Sequence, residues 1–286
     1  MLELFQNIPE DQAHAYGLVL SSSGIQYQVK KSQRGLNVWV DDKDYEKAQS
    51  AIEKYIEENN NIHRKDEHVF YEYPKTFTGI YAALILLACH VAIQTGNDLQ
   101  IFIEAYGSSA SHILQGEWYR SVTSLIIHAN ALHLAGNMVG IVIFGTAVCT
   151  SIGWGPAWLM ILAAGISGNL VNAVLYGANH ISVGASTAVF GAIGILSAYQ
   201  FVKKFKLPRQ RIKAWLPLGG GLALLGILGS GEYVDLMAHL FGFLAGIILG
   251  SLYTVFVKRP VTRQYQVCCI LITFCILVMS WVKGFI

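Results

Sequence analysis

Ser186 stands in the run Gly184-Ala185-Ser186-Thr187-Ala188-Val189-Phe190-Gly191, at the start of an apolar segment long enough to cross a bilayer. Serines in such segments ordinarily bond a carbonyl one turn back or pack at a helix interface. The flanking glycines point elsewhere. Gly184 lets backbone approach closely where the helix begins, and Gly191 leaves room on a nearby turn. At a helix N-terminus the Ser186 N–H has no intrahelical partner, so it can aim at a developing oxyanion with help from the positive dipole end. A later apolar segment holds Ala238-His239-Leu240-Phe241-Gly242. An ionisable group inside a membrane is costly and is a functional candidate by default, the alternative being a satisfied interior histidine. Gly242, Gly246 and Gly250 follow at four-residue intervals, a small-residue face that allows close helix contact. If the close partner is the segment bearing Ser186, Oγ meets imidazole. A serine nucleophile with a histidine base needs no third member for covalent catalysis. Such a pair in one bilayer is equipment for proteolysis inside the membrane.

A third cluster reads His128-Ala-Asn-Ala-Leu-His133-Leu-Ala-Gly-Asn137. His133 and Asn137 are four apart and share a helical face, whereas His128 is rotated away and nearer the interface. This is not the HExxH zinc pattern, and no glutamate is placed to activate a metal-bound water. Asn137 offers an amide donor suited to an oxyanion hole, or else a buried hydrogen-bond network between helices. Asp235 precedes His239 by four residues. It reads as an acid at the outer end of its helix, in reach of water and favoured by the dipole, rather than as a triad member. The five cysteines all lie in apolar runs and form no CxxC pair, so metal and disulfide readings are poor. No metal or cofactor is expected.

The elements that must position these groups are membrane helices. The chain has 286 residues, 53% hydrophobic and 13% charged, with a mean hydropathy of +0.45. That excludes an ordinary soluble globule. Seven apolar segments fall at about 77–95, 126–149, 156–176, 184–202, 213–229, 234–257 and 266–285. Basic residues crowd the loops before 213 (Lys203, Lys204, Lys206, Arg209, Arg211) and before 266 (Lys258, Arg259, Arg263). The 96–125 loop carries Asp98, Glu104 and Glu117 against a single Arg120. The positive-inside rule then puts the N-terminus in the cytoplasm and the C-terminus outside, with Lys283 a minor exception. In that topology the segments bearing His133, Ser186 and His239 all run from outside to inside. All three residues then lie on the order of 10 Å below the outer surface. The glycines Gly219-Gly220-Gly221, Gly226, Gly229 and Gly231 each lower helix stability by up to ~1 kcal/mol. They mark the 213–229 segment, or the 229–234 loop after it, as the element that opens to admit a substrate.

Residues 1–60 form a separate module. Leu2–Ile8 reads as a strand, Pro9-Glu10-Asp11 opens a helix, 25–29 and 36–40 alternate as strands joined near Gly35, and 44–58 has helical spacing. The order is βαββα. No signal peptide precedes it, since Met1 is followed by Leu2, Glu3 and Leu4 without a basic region, which keeps the module cytosolic. Residues 61–75 are a charged linker, 76–257 the six-helix core, and 258–286 a loop with an additional helix.

The constellation resembles the rhomboid family of intramembrane serine proteases. The resemblance rests on Trp118-Tyr119-Arg120 in the first outer loop, the His128, His133 and Asn137 spacing, Gly184-Ala185-Ser186, and Ala238-His239 with Gly242 and Gly246. It covers roughly residues 75–257. It implies an α-helical polytopic membrane protein with a six-helix rhomboid core, here extended by a seventh C-terminal helix and preceded by the small soluble α/β domain. Ser186 is then the nucleophile, His239 the general base, and Asn137, His133 and the Ser186 N–H the oxyanion donors. His128, Gly184, Phe190 and Gly242 support them, and Trp118 and Arg120 belong to a structural loop motif. Phe190 stands where some relatives carry tyrosine, and either ring can pack on the imidazole. The resemblance implies cleavage of single-span membrane proteins near the extracytoplasmic face, with small residues favoured at the cleavage point. It also brings an alternative, a catalytically inactive rhomboid-like protein that binds transmembrane segments. A seven-helix transporter or receptor would need polar residues along a midplane path instead. The expected partners are transmembrane substrates and the lipid bilayer, with no nucleic acid. The lack of an organelle-targeting signal favours a bacterial inner membrane.

Overall fold

The computed structural model describes the chain except for residues 33–34, 67–71, 97, 176, 178–180, 206–209 and 229–234, and no side chain of 59–66. It divides into two compact units, Met1–Val69 and Phe70–Ile286.

The first unit is β1 (Leu2–Ile8), α1 (Glu10–Ser22), β2 (Tyr27–Ser32), β3 (Gly35–Val40) and α2 (Tyr45–Asp66). The order is the βαββα one that alternation and helical spacing lead to. The sheet is antiparallel with order β1-β3-β2. Val38 and Val40 of the central strand are fully buried with Leu20, Ala48 and Ile52 from the two helices. β2 begins two residues later than expected. Gly24 turns the chain at φ +68°, and the Ile25 N–H bonds back to the Leu20 carbonyl at 2.9 Å. Ile25 therefore plugs the core instead of starting the strand.

The second unit begins with α3 (Thr78–Gly96). The 96–125 stretch, read from sequence as a loop, is largely structured. It contains α4 (Leu99–Tyr106), β4 (Ser108–Ser109), α5 (Ala110–Leu114) and α6 (Arg120–Thr123). Arg120 organises it. The guanidinium donates to the Glu104 carbonyl at 2.7 Å, the Gly107 carbonyl at 3.3 Å and the Glu117 carboxylate at 2.6 Å. The two carbonyls lie 16 and 13 residues before Arg120, contacts that local periodicity cannot reveal. α7 (Ala131–Gly140) continues through a π turn at Ile141–Gly145 into α8 (Thr146–Ile152). The helix starts at 131, not 126, because the Asn130 side chain caps it by accepting the His133 N–H at 2.8 Å.

There follow α9 (Trp154–Leu175), β5 (Ile181–Ser182), α10 (Ser186–Phe205), α11 (Arg211–Ala214), α12 (Leu216–Leu228), α13 (Leu236–Phe256) and α14 (Arg263–Phe285). β4 and β5 pair antiparallel and tie the 96–125 stretch to the chain entering α10. Among the described residues five helices are long and apolar enough to cross a membrane: α3, the continuous α7–α8 helix, α9, α13 and α14. α10 and α12 occupy the remaining two apolar segments. α10 is diluted by Ser186, Thr187, Ser197 and Gln200 and is largely enclosed by its neighbours, and α12 has 13 residues. The 229–234 loop, expected to act as a cap, lies outside the described residues.

α10 is the centre of the bundle, and small residues let it be approached. A Cβ on Gly246 would meet the Gly191 carbonyl, one on Gly242 the Thr187 carbonyl, and one on Gly250 the Ile195 carbonyl at 2.7 Å. The four-residue glycine stripe of α13 thus faces the helix that begins at Ser186. Gly168 brings α9 against Thr187 and Gly242 in the same way.

Candidate active site

The three helices that carry the candidate residues begin at one place. Ser186 is the first residue of α10, His133 the third of α7 and His239 the fourth of α13. Their first turns converge. His239 Nε2 lies 2.6 Å from Ser186 Oγ. The Phe190 ring, one turn beyond Ser186, stacks on the imidazole at 4.8 Å between centroids and 27° between planes. Both side chains are nearly enclosed, at 3% exposure each.

Gly184 has φ +127°, a conformation that side chains rarely adopt. Space forbids a side chain there as well. A Cβ would sit 2.7 Å from His133 Cε1 and Nε2 and 3.3 Å from Asn137 Nδ2. Both side chains therefore lie over the backbone two residues before Ser186. His133 Nε2 and Asn137 Nδ2 are buried and have no hydrogen-bond partner among the described residues. Buried donors without partners are rare in folded proteins, and a pair beside a candidate nucleophile can receive an oxygen that gains negative charge.

His128 departs from expectation. It is not rotated away from His133: the side chain is fully buried, and its ring meets His133 edge-on at 5.5 Å. The Ala185 N–H donates to His128 Nε2 at 3.3 Å, and Nδ1 lies 3.2 Å from the Ile126 carbonyl. That pairing assigns the neutral tautomer with the proton on Nδ1. Residues 127–130, before α7, are not helical, so the ring does not follow the helical wheel drawn from 126. His128 holds the peptide that leads into Ser186.

Asp235 is also buried, at 5% exposure, rather than open to water. It caps α13, with Oδ1 accepting the Ala238 N–H at 3.0 Å, while Oδ2 accepts from Asn172 Nδ2 at 2.5 Å. His239 Nδ1 has no hydrogen-bond partner among the described residues. The acid does stand at the N-terminus of its helix, where its side chain caps α13, but Asn172 on α9 was missed. So was Asn169, whose Nδ2 donates to the Ser121 carbonyl at 3.0 Å and to Ser124 Oγ at 3.2 Å. Their signal was two amides three residues apart within an apolar segment, which rarely carries polar groups without a structural or functional demand. Ser124, Asn169, Ser182, Asp235, Ser186 and His239 line a polar cavity of about 10 Å³. That is about the volume one water needs.

Trp118 is exposed at 71%, whereas its neighbour Arg120 is buried at 5%. The Arg120 guanidinium, with weaker help from His112 and Tyr119, holds the Glu117 carboxyl down at about 2. Among the described residues, no group of three or more His, Cys, Asp and Glu side chains is close enough to hold a metal ion.

Membrane-length helices around a serine and a histidine that share a hydrogen bond define a polytopic membrane protein with these two side chains at one end of the bundle. Comparison with known sequences gives the family. The Rhomboid domain model matches residues 115–256. Rhomboid protease GluP of Bacillus subtilis is 31% identical over 217 residues, covering 72% of this chain but 42% of GluP. YdcA of the same organism, also named for the rhomboid proteases, is 31% identical over 143 residues, covering 49% of this chain and 69% of YdcA. Inactive rhomboid protein 2 of Homo sapiens is 27% identical over 150 residues, 52% of this chain and 17% of that protein. The chain belongs to the rhomboid family. It spans less than half the length of GluP.

Proposed function

We propose that the protein is an intramembrane serine endopeptidase that cleaves transmembrane segments of membrane-protein substrates near the extracytoplasmic face. The observation that carries this reading is the 2.6 Å contact between His239 Nε2 and Ser186 Oγ, with the unpartnered His133 and Asn137 donors beside it. A substrate segment partly unwinds and enters between helices. Ser186 Oγ attacks the scissile carbonyl carbon as His239 Nε2 takes the hydroxyl proton. The carbonyl oxygen becomes an oxyanion, held by Asn137 Nδ2, His133 Nε2 and the Ser186 N–H. His239 returns the proton to the leaving amine, which breaks the C–N bond and leaves an acyl-enzyme. Water, deprotonated by His239, then releases the acid and restores Ser186. The small polar cavity beside the pair is a place from which such a water can be drawn. The N-terminus is cytoplasmic, the C-terminus extracytoplasmic, and the membrane a bacterial inner membrane. Substrates are single-span proteins with small residues at the cut.

Entry requires α12 to move. α12 packs on the bundle through Gly221, beside Phe243 and Ile193, through Leu218, Leu224 and Leu225 in the apolar core, and through the Pro217 carbonyl, which accepts from Ser197 Oγ at 2.9 Å. A Cβ on Gly219, Gly220 or Gly226 would meet open space, so these glycines add no close contact that displacement would have to break.

The test is cleavage of a tagged single-span substrate by purified protein in liposomes. Wild type, Ser186→Ala and His239→Ala run side by side, with EDTA present in one arm. Product from wild type alone, insensitive to EDTA, supports the reading. Product that survives Ser186→Ala overturns it. No product across several substrates, together with retained binding of transmembrane segments, favours the alternative of an inactive rhomboid-like binding protein.

A further inference from the structure

α14 lies beyond the six-helix core and takes no part in the chemistry above. No residue of its apolar window is fully buried, though Ile276 and Leu277 pack on the core, and it is held at both ends. At its start, the Gly155 N–H donates to Gln266 Oε1 at 3.4 Å, and a Cβ on Gly155 would collide with the Gln266 backbone. At its end, Trp281 and Phe285 enclose Tyr106, with ring centroids at 5.1 and 5.5 Å. Phe102 joins them at 5.9 Å from Trp281. Gly284 permits the approach, since a Cβ there would sit 2.9 Å from the Tyr106 ring and 3.1 Å from Tyr119.

Tyr106 leads straight to the nucleophile. Its carbonyl accepts from Thr123 Oγ1 at 2.7 Å. The next residue, Ser124, accepts the Gly184 N–H on its own carbonyl at 2.9 Å. Gly184 in turn lies under His133 and Asn137 and two residues before Ser186. Each link is a close contact or a covalent neighbour.

We propose that Trp281 is a positioning residue for the Gly184-Ala185-Ser186 backbone. It holds Tyr106 in place, Tyr106 holds Thr123, and the Ser124 carbonyl then fixes the Gly184 peptide. The consequence for activity rests on the endopeptidase reading, because an oxyanion hole works only when its donors sit within fractions of an ångström of the developing charge. Trp281 touches neither substrate nor reacting atoms. The extra helix is thus a brace applied from outside the core to the loop that seats the nucleophile.

A double-mutant cycle with full-length protein in liposomes tests this. Trp281→Ala and Thr123→Val should each lower kcat about tenfold with KM little changed, and the double variant should lose no more than the worse single, because both act on one link. Trp281→Phe, which keeps a ring, should restore turnover. Val282→Ala, on the half-exposed neighbour, should leave it unchanged. Hydrogen exchange of the Gly184 amide gives a readout independent of catalysis, and it should accelerate in Trp281→Ala. Losses that multiply in the double variant, a change confined to KM, or Gly184 exchange equal to wild type would overturn the proposal. If wild type cleaves nothing, the endopeptidase reading fails by itself. The Gly184 exchange rate then decides the brace, faster exchange supporting it and unchanged exchange refuting it.

Discussion

Asn172 Nδ2 and Asp235 Oδ2 are joined by a 2.5 Å hydrogen bond that ties the last turn of α9 to the cap of α13. The other Asp235 oxygen holds the Ala238 N–H, one residue before His239. The acid four residues before the histidine is therefore a clasp between two helices. Asp235→Asn, which keeps an acceptor for the cap, should retain cleavage within about tenfold of wild type. Asp235→Ala should lower thermal stability by the ~1–2 kcal/mol typical of a lost cap. A loss in Asp235→Asn as deep as in His239→Ala would make the acid a third catalytic member.

His133 and Asn137 stand over Gly184 with donors that no described residue satisfies. Asn137→Ala should cut kcat by about 10²-fold, the usual effect of removing one oxyanion donor, and leave KM nearly unchanged. His133→Ala should do the same less steeply if the Ser186 N–H and Asn137 remain in place. Steady-state kinetics on one substrate distinguish this from a purely structural role, which would lower the melting temperature and leave the kcat of the folded fraction intact.

Glu117 is held at about 2 by Arg120, against an ordinary value of 4.5. A carboxylate whose folded value is depressed contributes stability above its unfolded value and loses it as pH falls through the folded one. The 96–125 stretch should therefore weaken between about pH 4.5 and pH 2. Thermal melts across that range should show an acid limb that Glu117→Gln flattens. Arg120→Ala should cost ~2–3 kcal/mol at neutral pH, because the buried Gly107 carbonyl and the part-buried Glu104 carbonyl lose their charged donor.

Gly246 abuts the Gly191 carbonyl with no room for a methyl group. Gly246→Leu should separate α13 from α10, destabilise the fold by ~3 kcal/mol or more, and stretch the Ser186–His239 contact. Melting in detergent and loss of cleavage should go together. A stable, active Gly246→Leu protein would contradict the packing.

α12 is the element expected to move. A covalent crosslink between α12 and the α7–α8 helix should abolish cleavage of transmembrane substrates and be reversed when the link is cut. Unchanged cleavage in the linked protein would remove α12 as the gate.

The parts legible in the sequence were those written in local pattern. Apolar length marked the membrane helices, alternation and helical spacing marked the small sheet unit, and glycines at every fourth residue marked the face of α13 that α10 approaches. Ser186, His239, His133 and Asn137 stood out because polar side chains in apolar segments are costly. Their mutual distances were not legible, since contact across 53 residues depends on how helices pack. Tertiary structure alone decided that the His128 ring turns inward to hold Ala185, that Asp235 is buried and bound to Asn172, and that α14 closes on Tyr106. Each of these joins residues from different elements, whose partners no spacing rule connects. Burial and hydrogen-bond partnership are properties of the packed bundle, while periodicity and composition are properties of the chain.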